Sequence, residues 1–241
     1  MPMRRWMGMA ALSAAMLTGQ ELVVDRGLPR VNQNNEAGSA ARSNIRWTLY
    51  NQGFAGDDFT VGKAGEKWVI QTVRVWAVPG AYESDPATLG DVYQDVRLYV
   101  GGPDENLSPV VTGRLKRGSN AVEGADVTIT EAAGAPRYEN FGAELKIYQV
   151  EFRNVKLVVD GGVRYRFGAW GLGRVIGEKG EVYPWFTHGS NAVQGETPVY
   201  GTDGKLLLFD TAGRYAREFD PAGAAWNKGS DLNVQIWADR Q

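Results

Sequence analysis

The chain has 241 residues, enough for one large domain or two small ones. Its 43% hydrophobic and 22% charged residues exclude a disordered chain, a collagen and a polytopic membrane protein. The balance of 26 basic against 28 acidic residues provides no global field for nucleic acid, and with no cysteine and one histidine the chain excludes disulfides, thiolate metal sites and multi-histidine metal centres.

The front of the chain reads as an address. Arg4 and Arg5 precede an uncharged apolar run, Met7 to Thr18, which is followed by Gln20 and Glu21, the layout of a secretory signal over residues 1–19. The run is too short to span a bilayer, and no later segment is apolar enough for a membrane helix. The expected location is therefore secreted or extracellular, with periplasm and cell surface as variants. Residues 20–45 follow, polar and rich in asparagine from Val31 to Ser43, and read as an N-terminal extension.

From 46 to 241 the dominant signal is alternation of apolar and polar residues between turn-forming Gly, Asp, Asn and Pro. Strands are predicted at Trp47–Tyr50, Asp58–Val61, Trp68–Val78, Asp95–Val100, Val110–Leu115 and Val127–Thr130. Further ones are predicted at Lys146–Arg153, Lys156–Val159, Val163–Ala169, Lys205–Phe209 and Leu232–Ala238. In these, Val96, Leu98 and Val100 share one face, as do Tyr148, Val150 and Phe152, whereas Gln149, Glu151 and Arg153 read as a solvated face. With 31 glycines for turns and no convincing amphipathic helix, the pattern predicts an all-β fold in a single domain: an antiparallel two-sheet β-sandwich, jelly-roll-like.

Several segments carry a resemblance: VVDRGLPRVNQNNEAGSAARSNIRW at 23–47, GDDFTV at 56–61, WVIQTVRVW at 68–76, IYQVEF at 147–152, FTHGSNAV at 186–193 and WNKGSDLNVQIWA at 226–238. Together they resemble secreted bacterial β-sandwich proteins related to those with a PEP-CTERM sorting tail. The resemblance implies export, a β-sandwich and an envelope or matrix setting, and it carries over no catalytic residue. The sorting tail itself has no counterpart before Gln241, which points to free secretion rather than anchoring.

Three constellations could carry chemistry. Trp170, Tyr183, Trp185 and Phe186, with His188 beside them, form the densest aromatic set and could offer a stacking platform for sugar rings, or else plug one end of the sandwich. His188 lies near Ser190, but no serine sits in a Gly-x-Ser-x-Gly elbow, so a structural histidine is favoured over a catalytic one. Asp57 and Asp58 at a strand start are the candidate ligands of a structural calcium, the one cofactor kept open, although adjacent strand residues point to opposite faces and the spacing of a calcium loop is missing. These features predict a secreted non-enzymatic binding module for a polysaccharide or cell-surface component, with no nucleic acid partner and no membrane span. A self-associating envelope or fibre protein is the alternative, and a carbohydrate-active hydrolase a weaker one.

Overall fold

The computed structural model describes residues 19–26, 45–47, 53–79, 88–103, 106–132, 138–140, 143–176, 180–183, 185–189, 206–219 and 231–241. Its strands, in chain order, are β1 (Glu21–Asp25), β2 (Ile45–Trp47), β3 (Phe54–Thr60), β4 (Lys67–Pro79), β5 (Tyr93–Gly101), β6 (Ser108–Arg114), β7 (Val127–Glu131), β8 (Tyr138–Asn140) and β9 (Ala143–Leu145). They continue with β10 (Tyr148–Phe152), β11 (Leu157–Asp160), β12 (Arg164–Gly173), β13 (Val175–Ile176), β14 (Glu181–Val182), β15 (Trp185–His188), β16 (Leu206–Phe209), β17 (Tyr215–Phe219) and β18 (Val234–Arg240). One helical turn, α1 (Leu89–Val92), precedes β5.

Two antiparallel sheets make the sandwich. In the larger, of eight strands, the order is β1-β18-β4-β10-β7; β11 lies beside the first part of β4, and β15, itself paired with β2, lies beside its end. The smaller, of six strands, has the order β17-β16-β3-β12-β5-β6. Alternation decides what each sheet turns inward. Across the larger sheet Val127, Phe152, Val73, Ile236 and Val24 stand opposite one another in register and are all buried. Val96, Leu98, Val100, Phe167 and Ala169 of the smaller sheet belong to the same core. Each such aliphatic or aromatic side chain contributes roughly 1.5–3 kcal/mol on burial, so a mismatch of register by one residue would be heavily penalised.

Two of the places where the chain changes sheet are adjoining arches. Residues 61–66 lead from β3 to β4, and Gly161 and Gly162 lead from β11 to β12. The arches hold each other: the Gly162 N–H donates to Val61 O at 2.9 Å and the Gly161 N–H to Glu66 O at 2.8 Å. Gly162, at φ +75°, adopts a left-handed turn conformation that glycine reaches at little cost.

The all-β, two-sheet sandwich and most predicted strands match the structure, but two readings change. The extension of 20–45 opens with β1, a full strand of the larger sheet that closes on the last strand of the chain. Its five residues are too few for a strong alternation signal beside the Asn-rich tract. The tract itself, Val31–Ser43, lies outside the described residues. Glu151, read as solvated, is only 6% exposed, because Arg74 and Arg153 close over it from its neighbours.

Candidate functional site

A charged side chain lies at the junction of the two sheets. Val24 of β1 faces the core, and two residues later, on the same face, Arg26 does too, with no exposed surface. A guanidinium stripped of water must meet negative charge. Its Nη1 lies 2.7 Å from Asp57 Oδ2, and its Nη2 donates to the backbone oxygen of Asp58. Asp57 shares a row with Phe167 and Val100 on the inner face of the smaller sheet, so the ion pair ties one sheet to the other.

The carboxylate is fixed by groups other than the arginine. Asp57 Oδ2 accepts the Leu232 N–H at 2.7 Å and Oδ1 accepts the Asp58 N–H at 2.8 Å. Asp58 turns its side chain to the rim, where Arg164 donates through Nε at 2.6 Å and through Nη2. Asp231, also buried, adds a third carboxylate close enough to act on both Arg26 and Asp57. Behind it, Asn233 Nδ2 donates to Arg26 O at 3.3 Å while its Oδ1 lies 2.5 Å from His188 Nδ1. An amide oxygen can only accept, so His188 carries its proton on Nδ1. The Asn233 N–H also donates to His188 O at 3.0 Å.

Three carboxylates around two guanidiniums set the electrostatics. Burial works to lower the Arg26 pKa, but Asp57, Asp231 and Asp58 outweigh it and hold the guanidinium charged. Burial pushes the Asp57 carboxyl well above the usual carboxylate range; Asp231 and Asp58 add to this and Arg26 opposes it. Burial also pulls the His188 imidazole down to about 4, against the Asn233 and Gly189 hydrogen bonds that raise it.

The histidine makes stability depend on pH with a definite sign. Its folded pKa lies below its ordinary value of 6.5, so the stabilisation from a neutral ring is complete above about pH 6.5 and is lost as pH falls toward about 4. A gap of this size corresponds to about 3 kcal/mol. Asp57 runs the other way in acid, since a raised carboxyl pKa favours the folded state as protons bind. The difference between wild type and His188→Gln therefore isolates the ring. Denaturant unfolding should show the advantage of the wild type shrinking by about 3 kcal/mol between pH 7 and pH 4; a constant difference would refute the assignment.

The predicted aromatic site is not one surface. Trp185 points into the core, where its ring meets Tyr93 edge-on at 5.2 Å. Its neighbour Phe186 points the opposite way, into a separate cluster with Trp76, Val78 and Ile147 on the outer face of the larger sheet. Trp170 lies on the outer side of β12, stacked on Phe54 at 6.0 Å, and Tyr183 is half-buried against the central core. Trp170, Trp185 and Phe186 are each 8% exposed or less. Contiguity in the chain misled because a strand sends 185 and 186 to opposite faces. His188 belongs to the buried network instead. Asp57 and Asp58, the proposed calcium ligands, have guanidinium partners, and no group of three or more His, Asp or Glu is placed to hold a metal among the described residues.

Arg26, Asn233, Arg74 and Trp237 were not singled out from sequence. Arg74 belongs to a polar row on the outer face of the larger sheet, where Thr128, Glu151, Arg74, Gln235 and Asp25 stand opposite one another across five strands. Arg74 donates to Glu151 Oε2 through Nε at 3.0 Å and Nη2 at 2.5 Å, and to Gln235 Oε1 at 3.0 Å. Gln235 Nε2 donates to Asp25 Oδ1 at 3.3 Å. The guanidinium of Arg74 lies 4.6 Å from the ring centre of Trp237, which stands opposite Thr72 and the exposed Leu22 in the adjoining row. Burial works to raise the Glu151 carboxyl, but its hydrogen bonds from Arg74 and Arg153 hold it below the usual range. No helix among the described residues is long and apolar enough to cross a membrane. Comparison of the chain with protein families, with curated proteins and with solved structures finds no match.

Proposed function

We propose that the chain is a secreted, non-enzymatic β-sandwich module that binds a polysaccharide of the extracellular matrix or cell surface. The observation that carries this reading is the five-strand polar row beside Trp237. Strands repeat every 4.7–4.9 Å, and the half-buried members of the row, Thr128, Arg74 and Asp25, recur on every second strand, a spacing close to two sugar rings of an extended polysaccharide. Arg74, Gln235, Glu151 and Asp25 hold one another in place, which lowers the side-chain entropy lost on binding. The Trp237 indole adds an apolar edge with a polar rim. The signal-like front of the chain and the resemblance to exported β-sandwich proteins support the extracellular setting, and a jelly-roll order is the form of sandwich proposed. The aromatic set first considered contributes to this reading as core that makes the sheets rigid.

Thermal melting against a panel of soluble glycans, with Ca²⁺ and EDTA arms, tests it. A glycan at about 100 times its Kd should add roughly 2.7 kcal/mol and raise the melting temperature by roughly 5–10 °C. Trp237→Ala should abolish that shift. A panel without any shift would overturn the reading, a shift that survives Trp237→Ala would remove the site from this face, and a shift with Ca²⁺ alone would restore Asp57 and Asp58 as ligands.

A further inference from the structure

The network around Arg26 divides into a short ligand half and a receptor half. The ligand half is β1 with Arg26, near one end of the chain. β1 is an edge strand, hydrogen-bonded to β18 alone among the described residues. The receptor half is built by other segments. Asp57 is set by the N–H groups of Leu232 and Asp58, and Asn233 by the His188 carbonyl and imidazole. None of these contacts involves β1.

Such a receptor without its strand exposes the edge of β18 and takes the Arg26 guanidinium away from Asp57 and from the backbone oxygen of Asp58. It therefore selects a segment that brings backbone hydrogen bonds, an aliphatic side chain for the Val24 position and a guanidinium two residues later. The chain contains that segment, joined to the next strand through residues 27–44. These eighteen residues can reach at most roughly 60 Å, more than the width of a domain of this size.

We propose that β1 is an exchangeable strand: Val24–Asp25–Arg26 of one copy fills the carboxylate socket of a second copy and extends its larger sheet along β18. Every contact named above forms equally well within a chain or between chains, so the linker and the protein concentration decide between them. The exchange keeps the polar row complete, because Asp25 of the incoming β1 takes the same place beside Gln235 on the outer face.

The absence of cysteine makes the test direct. Glu21 and Ala238 are opposite in register, so Glu21→Cys and Ala238→Cys report the pairing as a disulfide. The two single variants are mixed, unfolded and refolded together at concentrations approaching the roughly millimolar effective concentration of a tethered strand. The mixed disulfide dimer should exceed either same-variant dimer several-fold and grow with concentration. In dilute solution the doubly substituted chain should instead close within itself. As a second measurement, a labelled peptide of residues 19–27 should be captured by the unmodified chain refolded in its presence, and its Arg26→Ala version should not. A mixed dimer no more abundant than the same-variant dimers, together with no capture of the peptide, would overturn exchange. Failure of the double variant to close would overturn the register on which it rests.

Discussion

Arg26→Met is expected to destabilise the fold by roughly 3–5 kcal/mol at pH 7, because removal of one partner leaves buried carboxylates without compensation. For a chain of this length that is a fall of roughly 6–20 °C in melting temperature and a third or more of a typical total stability. The loss has a signature beyond its size. Asp57 already sits above the usual carboxylate range, chiefly through burial, and without Arg26 it would be driven further toward the neutral form. The deficit of Arg26→Met should therefore shrink as pH is lowered from 8 to 5, since protons replace the missing charge. A second substitution should do the same at neutral pH: Arg26→Met with Asp57→Asn should recover a large part of the loss, as replacement of both partners of a buried pair is often tolerated. Equal deficits across pH, or a double variant no better than the single, would show that Arg26 acts through its aliphatic stem alone.

The same residue shows why some of this molecule was legible in the sequence and some was not. Alternation marks faces within a strand, so Val96, Leu98 and Val100, or Val234, Ile236 and Ala238, could be placed in a core before any partner was known. It does not say which face is wet. In β3 every residue from Phe54 to Phe59 is buried, whereas from sequence Asp57 and Asp58 read only as two adjacent carboxylates at a strand start. Their partners lie far away in the chain: Arg26 precedes Asp57 by about thirty residues and Leu232 follows it by 175. A carboxylate pair is compatible with a calcium ion, a turn cap or a buried guanidinium, and only the fold chooses among them. The aromatic set differs for the opposite reason, since these neighbours in sequence are not neighbours in space. The two-residue period that identified the strands also separates Trp185 from Phe186.

Trp185→Ala is the second substitution with a large expected effect, and it decides what the aromatic residues are for. Trp185 is 3% exposed, and its ring covers Gly171 of the opposite sheet so closely that a methyl group on that glycine would lie 2.2 Å from Cε3. Truncation of a core tryptophan costs roughly 3–5 kcal/mol, through lost transfer energy and the cavity left behind. If the ring instead served a ligand at the surface, the same change would cost less than about 0.5 kcal/mol of stability. Chemical denaturation separates these outcomes, and Gly171 supplies an internal control. Gly171→Ala should destabilise the wild type, because the indole must move aside within a packed core. In a Trp185→Leu background the added methyl meets a smaller, more flexible side chain, and the same substitution should cost far less or stabilise. A coupling of 1 kcal/mol or more between the two positions, roughly the size seen for residues in contact, would place the indole between the sheets; additive effects would place it elsewhere.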